Sequence, residues 1–370
     1  MMADTTMMML MIVALIPIVG IFLAIIPYLV KKSEVFAVTV PESSAQDPYI
    51  KKLKLRYLLI VFGLTVLLTL LSLVFLLAKS ELGVIVSMGI GTLLLCGGSY
   101  ALMLYFRKKV KAYKDSMGWV AQHQERTAVV MGMAVPRPIS LAWNLLYLPI
   151  IAVTAAIGYL GYGLMPEQIP MQLGLNGEVS TIVDKNTYVI LIPVVIQFFL
   201  ALCFASSHWI ITRSKRLSDP GAPAVSSLAY GMFAHAQSLY IVAGGLLLAA
   251  AFVTMPLTFM GVMSLMQTAI LIIIAAFVLI IGALVVSVVY GQGGARVFKR
   301  MQESNILLAD EDQHWKLGVF YFNRDDSNWF LPARFGIGWT VNFARPFVWI
   351  FSFALVVVTI AFIIVIITMT

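Results

Sequence analysis

FVWIFSFALVVVTIAFIIVIITM, residues 347–369, runs for 23 residues without a charged side chain. A helix crossing the hydrocarbon core of a bilayer needs about 20 consecutive, mostly apolar residues. A transmembrane barrel strand is shorter and alternates apolar with polar positions, and this run does neither. A spanning helix satisfies all its backbone groups internally. Seven further runs read the same way: residues 7–30, 57–78, 84–106, 143–165, 188–211, 240–260 and 266–290. The expected fold class is all-α, a polytopic transmembrane helix bundle of about eight spans. The least marked break is TMPLTFMGVMSLMQ, residues 254–267, between the sixth and seventh runs.

Composition agrees. The chain is 370 residues long, 61% hydrophobic and 11% charged, against about 25% charged residues in soluble domains. The first apolar run lacks basic residues before it and is too long for a signal-peptide core, so it reads as a retained span. Cys96 and Cys203 both fall in apolar runs, which argues against a disulfide framework or a metal-binding cysteine cluster.

Lysine and arginine placement orients the spans. Of the 25 basic residues, 23 follow the first, third, fifth and seventh runs, and only Lys79 and Lys185 lie in the other loops. By the positive-inside rule the four basic loops face the cytoplasm and both ends face outward. The net charge of +8 is then mainly a topology signal, with the lipid bilayer as partner and no nucleic acid. The expected organisation is a three-span region over 1–142, a two-span unit with an outer loop over 143–212, a loop and two spans over 213–290, a cytoplasmic loop with an aromatic module over 291–346, and a last span over 347–370.

VFYFNRDDSNWFLPARFGIGWTVNFARP, residues 319–346, lies on the cytoplasmic side of that scheme. Its tryptophans and tyrosine suit the headgroup level. Asn323, Asp325, Asp326 and Ser327 can satisfy turn backbone groups, and Gly336 and Gly338 permit positive φ or close approach. The expected object is a turn with a short amphipathic segment lying on the inner membrane face. It reads first as an interfacial anchor. A docking surface for a cytoplasmic partner and a ligand or catalytic site are the other readings.

These residues resemble the C-terminal module called domain of unknown function 5808, through Asn323, Asp325, Pro332, Arg334, Phe335, Gly336, Gly338, Trp339, Asn342 and Phe343. PEQIPMQLGLNGEVSTIVDKNTYVILIPVV, residues 166–195, resembles domain of unknown function 1648, through Pro170, Gly177, Lys185 and Pro193. Gln172 stands where many members carry a histidine. VFAVTVPESSAQDPYIKKLKLRY, residues 35–57, resembles the loop after the first span in the same proteins. The whole is similar to multi-spanning membrane proteins of Gram-positive bacteria. Those share the outer-loop domain with immunity proteins against a sporulation-delaying toxin, which implies an immunity or signalling role.

Asn176-Gly177 is a hairpin turn signal, so a small outer hairpin over 166–187 is expected, either as a polar cap or as a recognition loop. Ionisable residues inside spans mark transport pathways or proton relays, and these runs hold almost none. His208, near the cytoplasmic end of the fifth run, reads as interfacial. Gln197 is the deepest strong amide and can hydrogen-bond a neighbouring helix. The small-residue clusters at 96–101, 156–163 and 243–251 read as close helix contacts. GQGGARVFKR, residues 291–300, reads as a flexible exit from the seventh span, and the acidic run Asp310, Glu311, Asp312 as a solvated turn. No histidine pair has zinc spacing, and no catalytic site, metal or cofactor is expected. The functional expectation is a non-enzymatic cell-membrane protein giving immunity to, or sensing, an envelope-directed peptide or toxin outside. The alternative is a transporter of an apolar compound.

Overall fold

The computed structural model describes residues 9–41, 44, 46–78, 80–119, 135–173, 179–215, 222–301, 312–336 and 338–369. Among the described residues eight helices are long and apolar enough to cross a membrane. They are α1 (Met9–Leu29), α2 (Pro48–Leu77), α3 (Leu82–Ser116), α4 (Leu141–Leu160), α5 (Leu191–Arg213), α6 (Pro223–Phe259), α7 (Leu265–Met301) and α8 (Pro346–Thr368). The protein is a multi-pass membrane protein.

Several helices run further than their apolar cores. α2 begins at Pro48 rather than at 57, and α3 ends at Ser116 rather than at 106. Hydropathy reports only the lipid-immersed part. Lysine and arginine are good helix formers, so the helix continues beyond the last apolar turn. Local chemistry sets the starts. Asp47 caps α2 by accepting from the Tyr49 and Ile50 amides, with Pro48 in the first turn. Ser264 and Gln267 form a reciprocal capping box at the start of α7. That box fixes the break that the sequence marks only faintly.

α1, α2 and α3 pack on one another, and α4, α5, α6 and α7 form a second unit. The small residues of 243–251 do what their size allows: a Cβ at Gly245 would collide with Tyr147 Oη, and one at Gly244 with Leu279 Cδ2. α8 packs on α5, where Phe362 stacks on Phe199 at 4.1 Å between centroids.

Four small antiparallel pairs decorate the helix ends. They are β1 (Glu34–Val35) with β2 (Val38–Thr39), β3 (Gln168–Leu173) with β4 (Val179–Asp184), β5 (Trp315–Lys316) with β6 (Phe320–Tyr321), and β7 (Phe330–Pro332) with β8 (Trp339–Val341). The β1–β2 turn places Phe36 and Ala37 at φ 47° and 60°. Left-handed backbone costs a non-glycine residue about 1–2 kcal/mol. Phe36 offsets it by burying its ring against Phe106 and Tyr57, with centroids 5.2 and 5.5 Å away.

Candidate functional site

The structure concentrates polar architecture on one end of the bundle. Residues 312–345, in the linker after α7, are reached there by Thr39 of the α1–α2 linker, Lys114 at the end of α3, Lys215 just after α5 and Gln292 in α7, so the lysine- and arginine-rich linkers after α1, α3, α5 and α7 come together there. They share one face, and the β3–β4 hairpin occupies the other.

On the hairpin face, β3 and β4 pair from Gln168–Asp184 to Leu173–Val179, with irregular register after Pro170. Pro170 lies opposite Ile182. Gly177 lies outside the described residues. Lys185 is a tether: its Nζ donates to Met165 O at 2.8 Å and sits 5.0 Å from the Tyr162 ring centroid. Its amide donates to Glu167 O at 2.7 Å. Asn186 then accepts from the Tyr188 and Val189 amides and turns the chain into α5. Pro193 is buried in the first turn of α5, where the missing N–H leaves no helical bond unmade. Below the hairpin, Met165, Ile169, Met171, Ile190, Ile192 and Phe259 form one apolar cluster.

On the basic face, Asn342 organises the module. It is fully buried. Its Oδ1 accepts from the Asn323 and Ala344 amides, and its Nδ2 donates to Asn323 O at 2.8 Å and Asp326 O at 2.9 Å. Asn323 in turn accepts from the Asp325 amide at 2.9 Å. The ionic partner is Asp326: it receives Lys215 Nζ at 2.8 Å, Tyr321 Oη at 3.0 Å and Asn328 Nδ2 at 2.7 Å. Burial alone would raise the Asp326 pKa. The Lys215 and Asn328 hydrogen bonds outweigh it and hold the carboxyl below its ordinary value.

The turn 333–338 joins the two helix units. Gly336 and Gly338 have φ of 91° and 135°, which favour glycine. Towards the second unit, Gln292 Nε2 donates to Ala333 O and Gly338 O, and its Oε1 accepts from the Gly338 amide. Towards the first unit, Phe335 meets Tyr57 edge-on at 6.2 Å, and Arg334 pairs with Asp312. Asp312 also receives Lys114 Nζ at 2.9 Å, Thr39 Oγ1 at 2.8 Å and the Thr39 amide at 3.0 Å. Its burial favours the neutral acid. Arg334, Lys114 and Thr39 favour the carboxylate more strongly and lower its pKa. Arg334 lies 5.1 Å from the Trp315 ring centroid, so its charge is held from two sides. Pro332 is buried at the end of β7, opposite Trp339.

The structure corrects several expectations. The module is a pair of hairpins across helix ends rather than an amphipathic segment, and Tyr321, Phe330, Phe335 and Trp339 find aromatic partners in the protein. Trp339 stacks on Phe233 of α6 at 5.5 Å and 23°, a protein contact that the sequence does not announce. Asp312 is the centre of a partly buried ion cluster, not a solvated turn residue; Asp310 and Glu311 lie outside the described residues. The glycine-rich stretch after the apolar core of α7 is an ordered kink, with φ of 67°, 60° and 82° at Gly291, Gly293 and Gly294, and it presents buried Gln292. His208 is fully buried within the protein. Asn144 Nδ2 lies 3.0 Å from its Nδ1, and Ile139 O lies 3.1 Å from its Nε2. This pins the entry to α4 against α5. Gln197 meets its expectation: Nε2 donates to Thr154 Oγ1 at 2.8 Å and Ala249 O at 2.9 Å.

Asp312, Gln292, Lys114, Lys215 and Thr39 are not among the site residues that the sequence marks. Only the amide set between glycines at 292 offered a local signal. Among the described residues no three His, Cys, Asp or Glu side chains come together as a metal site. Chemically, the arrangement can fasten: charged and amide groups from two helices and two linkers converge on one module.

Residues 150–197 match a domain of unknown function (DUF1648), covering α4 from Ile150, the hairpin and the start of α5. Residues 324–349 match a family of unknown function (DUF5808), covering β7, β8 and the entry to α8. No curated protein and no solved structure matches the chain. This is a multi-pass membrane protein that carries a DUF1648 segment on one face and a DUF5808 segment on the other.

Proposed function

We propose that the protein is a non-enzymatic plasma-membrane sensor or immunity protein for an envelope-directed peptide. In this reading the basic face is cytoplasmic and the hairpin is the outward recognition element. The observation that carries it is the path of α5. Six residues, 185–190, separate β4 from the helix. At its far end, the Lys215 amide donates to Phe330 O at 2.8 Å and its side chain reaches Asp326. A displacement of the hairpin therefore pulls on a single helix whose other end is fastened to the module.

The hairpin supports the reading by its surface. Val179, Ile182 and Tyr188 are exposed there, and β4 is exposed along most of its length, which suits it to pair with an added strand. An apolar peptide in extended form fits such an edge. The inner module then holds or releases the two helix units.

The test compares a deletion strain with a complemented strain against a panel of membrane-active peptides. Selective sensitivity on deletion, rescued by the intact gene but not by a variant with 168–184 replaced, is the expected result. No peptide phenotype, together with altered accumulation of an apolar compound, would transfer the reading to transport.

A further inference from the structure

α1 and α7 meet narrowly at the basic face, and Arg296 stands at their meeting point. Its Nη1 donates to Val288 O at 2.6 Å and its Nη2 approaches Tyr28 O at 3.5 Å. The guanidinium thus covers late carbonyls of α1 and of the α7 segment that ends at the Gly291 kink, where the helix dipoles favour a cation. A guanidinium has further N–H donors beyond those two.

Below that cation the flanking surface is apolar. Ile281, Val285 and Val288 are exposed and fall at i, i+4 and i+7, one stripe of α7. Ile21 and Tyr28 are exposed at i and i+7 on α1. Around the cation the surface is basic. Lys299 and Arg300 are exposed at the end of α7, and Lys31 and Lys32 follow α1 directly. Across the described residues 9–39 and 265–301 the basic side chains are these five, and the one acid is Glu34.

We propose that this corner binds the headgroup of an anionic phospholipid, its phosphate at Arg296, Lys299 and Arg300 and its acyl chains along the two apolar stripes. Basic pockets between transmembrane helices recognise such headgroups by charge, and the neighbouring stripes supply the apolar complement. The occupant bridges the two helix units on the face where the module also bridges them.

Native mass spectrometry of the purified protein in a neutral detergent tests this with phosphatidylglycerol, phosphatidylcholine and inorganic phosphate. Phosphatidylglycerol is expected to bind about a hundredfold more tightly than phosphatidylcholine, about fivefold for each of the three basic side chains at its phosphate. Arg296 also caps helices, so the test variant is Lys299→Gln/Arg300→Gln, whose side chains are exposed. It should lose about fivefold of phosphatidylglycerol affinity per charge removed, with phosphatidylcholine binding unchanged. Equal binding of the two lipids, or an unaltered preference in the variant, overturns the proposal. Competition by inorganic phosphate at millimolar concentration also overturns it, since the site would then be one for free anions.

Discussion

Gln292 satisfies both backbone groups of Gly338: its Oε1 accepts from the Gly338 amide at 3.0 Å and its Nε2 donates to the Gly338 carbonyl at 2.7 Å. One residue from a kinked membrane helix thereby holds a turn 46 positions away. Gln292→Leu leaves the Gly338 N–H and the Ala333 carbonyl without this partner, while Gly338 O keeps the Ala333 amide at 3.0 Å. A buried polar group left unsatisfied costs about 1–3 kcal/mol, so the turn should undock. Trypsin then gains access to Arg334, which is only 5% exposed in the native protein. Gln292→Glu points a carboxylate at two carbonyls and should be at least as damaging. A Gln292→Glu protein as resistant as wild type would refute this role for the amide.

Trp339 gives a sharper contrast. Its ring stacks on Phe233, yet its buried Nε1 has no hydrogen-bond partner. Packing rather than polarity therefore explains the side chain. Trp339→Ala should cost about 3–5 kcal/mol, as large aromatic truncations do, and lower the thermal midpoint of the purified protein. Trp339→Phe keeps an aromatic face against Phe233 and discards an unsatisfied donor, so its midpoint should stay much closer to wild type. If the two variants melt together, the indole N–H matters in a way the packing does not explain.

These two residues mark what sequence reading can and cannot reach. The eight spans were legible because a bilayer demands long apolar runs, and the β3–β4 hairpin because Asn176-Gly177 sits between two short β-prone segments. Asn342 and Asn323 were legible as members of a dense motif. Asp312 was not: its partner Thr39 is 273 residues away, and an acid beside two other acids looks solvated. Trp339 was placed at the membrane surface because tryptophan prefers that level. Its contact with Phe233 is tertiary and leaves no local signal. Periodicity and turn chemistry report local structure, whereas this site is made almost wholly of contacts between linkers far apart in the chain.

The Asp312 cluster predicts an acid limit on module docking. Its carboxyl holds a proton less tightly when folded than when unfolded, as does that of Asp326. A depressed carboxylate pKa contributes stability that is complete above the unfolded value of about 3.9 and declines as pH falls below it. Near-UV circular dichroism melts should be level from about pH 7 to 5 and fall steeply below about pH 4. Asp312→Asn should be less stable by about 3 kcal/mol at neutral pH, because Lys114 and Arg334 lose their counter-charge. Its decline in acid should be shallower, with the Asp326 share remaining. A steeper acid decline in Asp312→Asn than in wild type would contradict the assignment.

Lys185 is the one charge on the hairpin face whose substitution separates local structure from topology. Its ammonium is held by Met165 O at 2.8 Å and by the Tyr162 ring. Glu167, at 3.9 Å, is 91% exposed on its side chain and contributes little as a surface pair. Lys185→Met keeps the alkyl stem on Tyr162 and should loosen the hairpin slightly, by about 1 kcal/mol. Lys185→Glu turns a donor into an acceptor facing a carbonyl and should loosen it by about 2–3 kcal/mol, seen as faster proteolysis next to exposed Tyr188. Membrane insertion should not change, because 23 of the 25 basic residues lie in the opposite set of loops and orientation follows that bias. Val179→Cys, in a background lacking Cys96 and Cys203, reports the side directly through a membrane-impermeant thiol reagent. Labelling of that cysteine from the same side is expected whether Lys185 is retained or replaced by the Lys185→Glu substitution. A switch of side would mean that one hairpin charge outweighs the linkers, against the charge logic that places the two faces.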